Sequence, residues 1–345
     1  MRLSALVPLF VNCVIALLLS QPVMAQPNAD KAPMHVVMIS PRGETSMERE
    51  FKSEFQQRHA GPVKFSFIKP DTTNDQEMNG LPARIRALKP DLIYTWGTPT
   101  TLAVASTEDK PVIKDIPVFF TVVAYPARVG ITKSLAKPRP MLSGTSHLVP
   151  LQIQIDTMVK LQPFTKLGVV FNSDEPQTKF MLADLQEMAQ TLKIELIIED
   201  VVDPTTGDPN PDNIPKKVKA VKEKGAQWLY VGPDTFVGFT HRDLTTKSAI
   251  EYGLPSFTPN QSAIKDSFAT LGVFSPLDDM GRFNAFKALQ LLKTKGAERV
   301  SVDTLQKFTV MVNTCATKTL KLPVTPYIKT MAEQLTPENG GCKMP

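Results

Sequence analysis

Short apolar runs alternate with segments of helical period along almost the whole chain, and that alternation admits few folds. Residues 35–39, His35-Val36-Val37-Met38-Ile39, read as a strand. Residues 45–59 follow as a helix with Met47, Phe51 and Phe55 on one face. Strands at 63–68, 92–96 and 116–123 then alternate with helices at 81–88 and 98–106. Strands joined through helices build a mostly parallel sheet with helices on both faces.

The rhythm breaks at residues 136–140, where Lys137-Pro138-Arg139-Pro140 suits neither a helix interior nor a central strand. It then restarts. Residues 151–161 are amphipathic, with Leu151, Ile155, Met158 and Val159 aligned, and 167–171 is a strand. Residues 179–192 carry the apolar stripe Met181, Leu182, Leu185, Met188 and Leu192. Strands at 194–201 and 228–231 flank a helix at 213–224. The expected fold class is therefore α/β, with two doubly wound, Rossmann-like lobes in tandem.

Residues 1–25 read as a secretory signal peptide: Arg2 is the lone charge, an apolar run follows, and Val23-Met24-Ala25 offers a cleavage site. An uncleaved anchor is the alternative, but the run is about 17 residues and is interrupted by Pro8 and Asn12, short for a span. The expected location is periplasmic. Cys13 sits in this segment without a lipidation box, which leaves Cys315 and Cys342. In an oxidising compartment they are a disulfide candidate closing about 27 residues, worth about 3 kcal/mol on a loop-entropy basis; the alternative is two free thiols. The formal net charge of +5 is spread along the chain. No basic stretch interleaved with aromatics suggests nucleic acid, and the four histidines have no zinc spacing. Residues 208–219 fail as a calcium loop, with Asn213 at the sixth position and Lys219 at the twelfth.

Open α/β sheets bind ligands beyond the carboxyl ends of their strands. Those ends are rich in Gly, Thr, Asn, Asp and aromatics. Gly97-Thr98-Pro99-Thr100-Thr101 combines a close backbone approach with a helix N-terminus and hydroxyls, a receiver for a carboxylate, and it also fits a plain helix cap. Trp96 either stacks on a planar ligand or packs beneath the loop. Arg42 either pairs with a carboxylate or covers the surface. Asp234 and Glu175 are the acidic groups placed to meet a ligand from the second lobe; the alternatives are an N-cap for a helix starting near Phe236 and a solvated loop carboxylate. His147 reads as a surface or hinge residue. No Gly-x-Ser-x-Gly elbow, His-Glu-x-x-His or Walker loop is present, so no catalytic residue, metal site or cofactor is expected.

Five segments in order carry a family resemblance. They are Pro90-Asp91-Leu92-Ile93 running into Gly97-Thr98-Pro99, then Ile116-Pro117-Val118-Phe119-Phe120, then residues 142–150, then residues 167–176, and last Val312-Asn313-Thr314-Cys315-Ala316 with Leu322-Pro323. From about residue 92 to 323 the chain resembles the ABC transporter substrate-binding family that includes tryptophan- and other aromatic-amino-acid-binding lipoproteins. The resemblance implies a periplasmic binding protein fold of type I, with three crossovers and a ligand clamped between lobes. It implies lobe 1 at 34–143 plus 274–304 and lobe 2 at 147–271 plus 308–345. Thr121 and Tyr125 would join the residues around Gly97 on one side of a small solute. Asn172, Glu175, Thr178, Asp234, Thr235 and Asn260 would face them. The chain departs from the family pattern where Tyr125 replaces an Asp and Gln177-Thr178 replaces Asn-Ser. The function expected is solute capture by hinge closure for an ABC importer, as a monomer working with a membrane permease. A ligand-sensing subunit for a receptor, or a secreted enzyme on a similar fold, are the other readings.

Overall fold

The computed structural model describes residues 32–336; the expected leader with Cys13, and Cys342, lie outside the described residues. The chain order is β1 (Met34–Ile39), α1 (Ser46–Arg58), β2 (Val63–Ile68), α2 (Asp75–Ala87), β3 (Leu92–Trp96), α3 (Thr98–Ala105), β4 (Val118–Thr121), β5 (Leu142–Ser146) and α4 (Leu151–Leu161). There follow β6 (Lys166–Phe171), α5 (Pro176–Leu192), β7 (Glu195–Asp200), α6 (Asn213–Glu223), β8 (Trp228–Tyr230), a π-helical turn (Thr235–Thr240), α7 (Arg242–Glu251), β9 (Ser256–Thr258), α8 (Gln261–Lys265) and β10 (Leu271–Phe274). The chain continues with α9 (Leu277–Thr294), β11 (Val302–Thr304), β12 (Thr309–Asn313), α10 (Thr314–Thr319), α11 (Pro326–Met331) and β13 (Ala332–Leu335).

Two sheets organise these elements. The first has the order β11-β5-β4-β3-β1-β2 and is parallel throughout. The second has the order β13-β12-β10-β9-β8-β6-β7 and is parallel except where β12 meets β10. The strand period of two sets the layering. In β1, Val36 and Met38 pack with Phe51 and Phe55 of α1 on one face; Val37 and Ile39 pack with Leu81 and Ile85 of α2 on the other. In β6, Leu167, Val169 and Phe171 face α4 and α5, and Val170 faces α6. Helices on both faces explain why these strands are almost continuously apolar.

The chain passes between the sheets three times: between β5 and α4, between β10 and α9, and between β11 and β12. Helix α9 seats on α1 of the first lobe so closely that a Cβ at Gly281 would overlap the Met47 carbonyl. Its Asn284 bonds Thr121 of β4 and Thr145 of β5, at 2.9 and 2.7 Å, so a buried polar triad locks helix to sheet.

Local differences from the sequence reading have physical causes. Strand β4 stops at Thr121, short of the expected 123, because Val122 turns into the left-handed region at φ 54°. Helix α2 starts at Asp75, well before 81, because the Asn74 side chain caps it by accepting from Glu77 N. Residues 142–146 form a buried strand although Ser143, Gly144 and Thr145 show no apolar pattern. Gly144 is required there, since a Cβ would run into the Phe120 ring and carbonyl.

Candidate functional site

The carboxyl ends of β1, β2 and β3 face those of β8 and β9 across a cleft of about 590 Å3. Its first-lobe wall includes Arg42, Lys69, Asp71 and Trp96; its second-lobe wall includes Thr235, Phe239, Arg242 and Asp266. At its inner end Arg42, Trp96 and Phe239 also line a small cavity of about 20 Å3 with His147, Asn260 and Phe274. The two lobes touch here. The Trp96 and Phe239 rings meet edge to face at 4.8 Å, and the Arg42 guanidinium lies over the Trp96 ring at 4.3 Å. Arg42 also donates to Thr45 Oγ1 at 3.2 Å.

Local sequence explains these positions. Gly97 adopts φ 82°, which turns the chain sharply from β3 into α3 and leaves Trp96 at the lip of the sheet. Pro99 sits in the first helical turn, where a missing N–H costs nothing. Val122, a β-branched residue held at positive φ, borders the same small cavity; such strain persists only where the surrounding packing over-determines it.

Electrostatics divide the site. Burial pulls the Arg42 pKa below its ordinary value, with the nearby Glu48 acting against the shift. His147 is 7 % exposed, and burial, aided by the Arg42 charge, lowers its pKa to about 4, so it is neutral at physiological pH. Arg42 Nε, Trp96 Nε1 and both His147 ring nitrogens are buried without a hydrogen-bond partner.

The structure gives the other candidate residues quite different surroundings. Asp234 accepts from Val237 N at 2.6 Å, as the N-cap of the π-helical turn, and from Asn172 N at 2.7 Å. Glu175 accepts from Thr235 N at 2.9 Å and Phe236 N at 2.8 Å. Burial, opposed by these N–H groups, raises the pKa of Glu175; burial and then the Glu175 charge raise that of Asp234. Thr178 donates back to Asn172 O and Glu175 O, and Asn172 Oδ1 takes Asp174 N. Asn260 caps α8 and donates to Gly238 O at 2.8 Å. On the first lobe, Thr100 donates to Trp96 O and Gly97 O, while Thr98 is buried in the first turn of α3. Thr121 is held in the triad with Thr145 and Asn284. Tyr125 lies apart, on a second cavity of about 220 Å3 with Gln154, Asp184 and Tyr230. So Arg42, Trp96, Thr235 and Asn260 come together around the cleft, Gly97 adjoins it through the chain, and Tyr125 stands away from it.

Phe239 and Arg242 were not among the candidate residues, and His147, read as a surface or hinge residue, is instead buried. Phe239 and Arg242 follow the β8 end at a distance set by the π-helical turn, which apolar periodicity does not reveal. His147 follows a strand that the same periodicity does not show. Cys315 opens α10; its expected partner Cys342 lies outside the described residues.

Two parallel-dominated α/β lobes, three passages of the chain between them and a cleft at the strand ends are the architecture of the type I periplasmic binding protein fold. More particularly, residues 67–335 match the family described as ABC transporter substrate binding protein, and the chain belongs to that family. It is 24% identical over 236 residues to a tyrosine-binding protein of Clostridioides difficile (strain R20291), covering 68% of this chain and 64% of that protein, so the chain spans just under two thirds of this relative's length. Among solved structures, a conserved domain protein from Vibrio cholerae superposes with a TM-score of 0.76 at 17% identity, over 89% of this chain and 100% of that one. An ABC domain from Streptococcus pneumonia in complex with L-Trp gives 0.74 at 16% identity, over 88% and 100%. A ligand-free, open substrate binding protein with adhesive properties from Clostridium difficile gives 0.64 at 18%, over 88% and 99%.

Proposed function

We propose that this chain captures a small solute in the cleft between its lobes and delivers it to the membrane permease of an ABC importer. The observation that carries the reading is the meeting of Arg42 and Trp96 from the first lobe with Phe239 from the second, at the head of a cleft of about 590 Å3. A solute seated there touches both lobes, so its binding favours closure. A cleft of this size suits a small molecule, and aromatic walls with a few polar groups suit a planar or amino-acid-like one. The tyrosine-binding relative and the L-Trp-bound neighbour support an amino-acid-like solute. Export through cleavage near residue 25, and action in the periplasm as a monomer, belong to the same reading. Among the described residues no helix is long and apolar enough to cross a membrane.

The test is a thermal-shift screen of the purified chain against the amino acids, small carboxylates and heteroaromatics, followed by small-angle scattering with each hit. A ligand at 100 times its Kd adds about 2.7 kcal/mol to stability, which raises Tm by several degrees. The expected result is such a rise together with a smaller radius of gyration. No stabilisation and no compaction with any solute would overturn the reading.

A further inference from the structure

Four buried, unpartnered side-chain atoms border one small cavity: Arg42 Nε, Trp96 Nε1 and the two ring nitrogens of His147. Trp96 is 1 % and His147 7 % exposed. A buried donor left without an acceptor costs about 1–3 kcal/mol, so three such side chains on one space are matched by something that enters it.

The chemistry of the lining fixes what that is. Indole and guanidinium nitrogens only donate, while neutral imidazole offers one further N–H and one acceptor nitrogen, so three of the four atoms are donors. No carboxylate lines the cavity, and the Asn260 amide is already committed to Gly238 O and to the start of α8. Donors with one fixed positive charge and no acidic neighbour in the lining call for an anionic oxygen. The cavity of about 20 Å3 has room for one small polar group, and it shares Arg42, Trp96 and Phe239 with the larger cleft, which holds the remainder of the solute.

We propose that Arg42, Trp96 and His147 form the seat of a carboxylate, so that the solute enters this end of the site acid group first and is selected by that group rather than by an ammonium. The proposal rests on the reading of the cleft as the solute site. His147 acts as a donor in its neutral form, and Arg42 supplies the charge.

The chain carries its own control. Its two tryptophans are Trp96 and Trp228, and Trp228 Nε1 already donates to Gln162 O at 3.0 Å. In a 1H–15N spectrum of the full chain, acetate and indole-3-acetate are expected to move the Trp96 indole N–H saturably downfield and leave that of Trp228 in place; tryptamine, which lacks the carboxylate, leaves both. Arg42→Met and His147→Phe are each expected to weaken indole-3-acetate binding about tenfold or more, the loss of one charge-assisted or buried hydrogen bond, with the Trp228 resonance unchanged as proof of folding. A Trp96 resonance that ignores both carboxylates, responds equally to tryptamine, or responds undiminished in the two variants overturns the seat. If tryptamine binds and the acids do not, the cleft still receives solutes and only the seat is wrong. If no solute moves Trp96 or raises Tm, the cleft reading falls with it.

Discussion

Glu175→Ala separates a carboxylate that waits for a solute from one that holds the cleft together. In the structure both Glu175 oxygens are engaged inside the second lobe, by Thr235 N at 2.9 Å and Phe236 N at 2.8 Å, with Gln177 Nε2 as a further donor. Removing the carboxylate orphans two backbone donors at the start of the π-helical turn, a loss of about 2–6 kcal/mol. Burial already opposes the charged carboxylate, so its removal returns part of that cost, and the net loss is set at about 2–3 kcal/mol. That corresponds to a fall in Tm of about 3–5 °C for a chain of this size. The assay is calorimetric or circular-dichroism melting of the ligand-free variant. The pH dependence follows from the raised pKa. A carboxyl whose folded value stands above its unfolded one contributes stability below the ordinary carboxylate range and loses it as pH rises through the raised value. Glu175→Ala removes that slope from the melting curve. Solute affinity falls too, because Thr235 and Phe239 sit on the turn that Glu175 ties down. An unchanged ligand-free Tm combined with lost affinity would refute the argument and make Glu175 a solute contact.

Four further outcomes follow from named contacts. His147, neutral when buried, contributes stability above its ordinary pKa of 6.5 that is lost as pH falls toward about 4; the loss is about 3 kcal/mol, and His147→Phe flattens acid melting over that window. Gly281→Ala drives a methyl into the Met47 carbonyl and separates α9 from α1, so the variant melts lower by several degrees or fails to accumulate as soluble protein. Arg128 stands 5.2 Å from the Tyr125 ring and 4.5 Å from the Phe180 ring of the opposite lobe, and pairs with Asp184. Arg128→Ala therefore weakens solute affinity about two- to tenfold by calorimetric titration, with little change in ligand-free Tm. If Cys315 and Cys342 are joined, peptide mass spectrometry of the unreduced chain shows no alkylation at either residue, and Cys315→Ser lowers stability by about 3 kcal/mol.

The layering of the fold was legible because it rests on periodicity. Val36 and Met38 alternate with Val37 and Ile39, and the helices at Phe51 and Ile85 carry the matching stripes. Strand β5 was not legible. Its residues are small and polar because its neighbours leave no room, as at Gly144 against Phe120, and because Thr145 feeds the buried triad with Thr121 and Asn284. In the site, Arg42 and Trp96 were found by the rule that ligands gather beyond strand ends. Phe239 was not, since six residues of π-helix place it where no strand-end count reaches.

The rule also gathered more polar residues than the cleft contains, and the reason is a competition for hydrogen bonds. Strand ends in an α/β lobe bring many backbone N–H groups together at the starts of helices, and those groups claim side-chain oxygens first. In the second lobe the side-chain oxygens of Asn172, Glu175, Asp234 and Asn260 are claimed in this way. Acceptors in a sequence are therefore weak markers of a solute site, because the fold itself consumes them. Buried side-chain donors are different: backbone carbonyls are largely taken by the strands and helices, so a donor such as Trp96 Nε1 or Arg42 Nε that finds no acceptor stays unpaired at the closed end of the cleft. At the closed end of the cleft, what is left over is three donors around the Arg42 charge, and under the proposed carboxylate seat that polarity places the solute's acidic end between Arg42, Trp96 and His147.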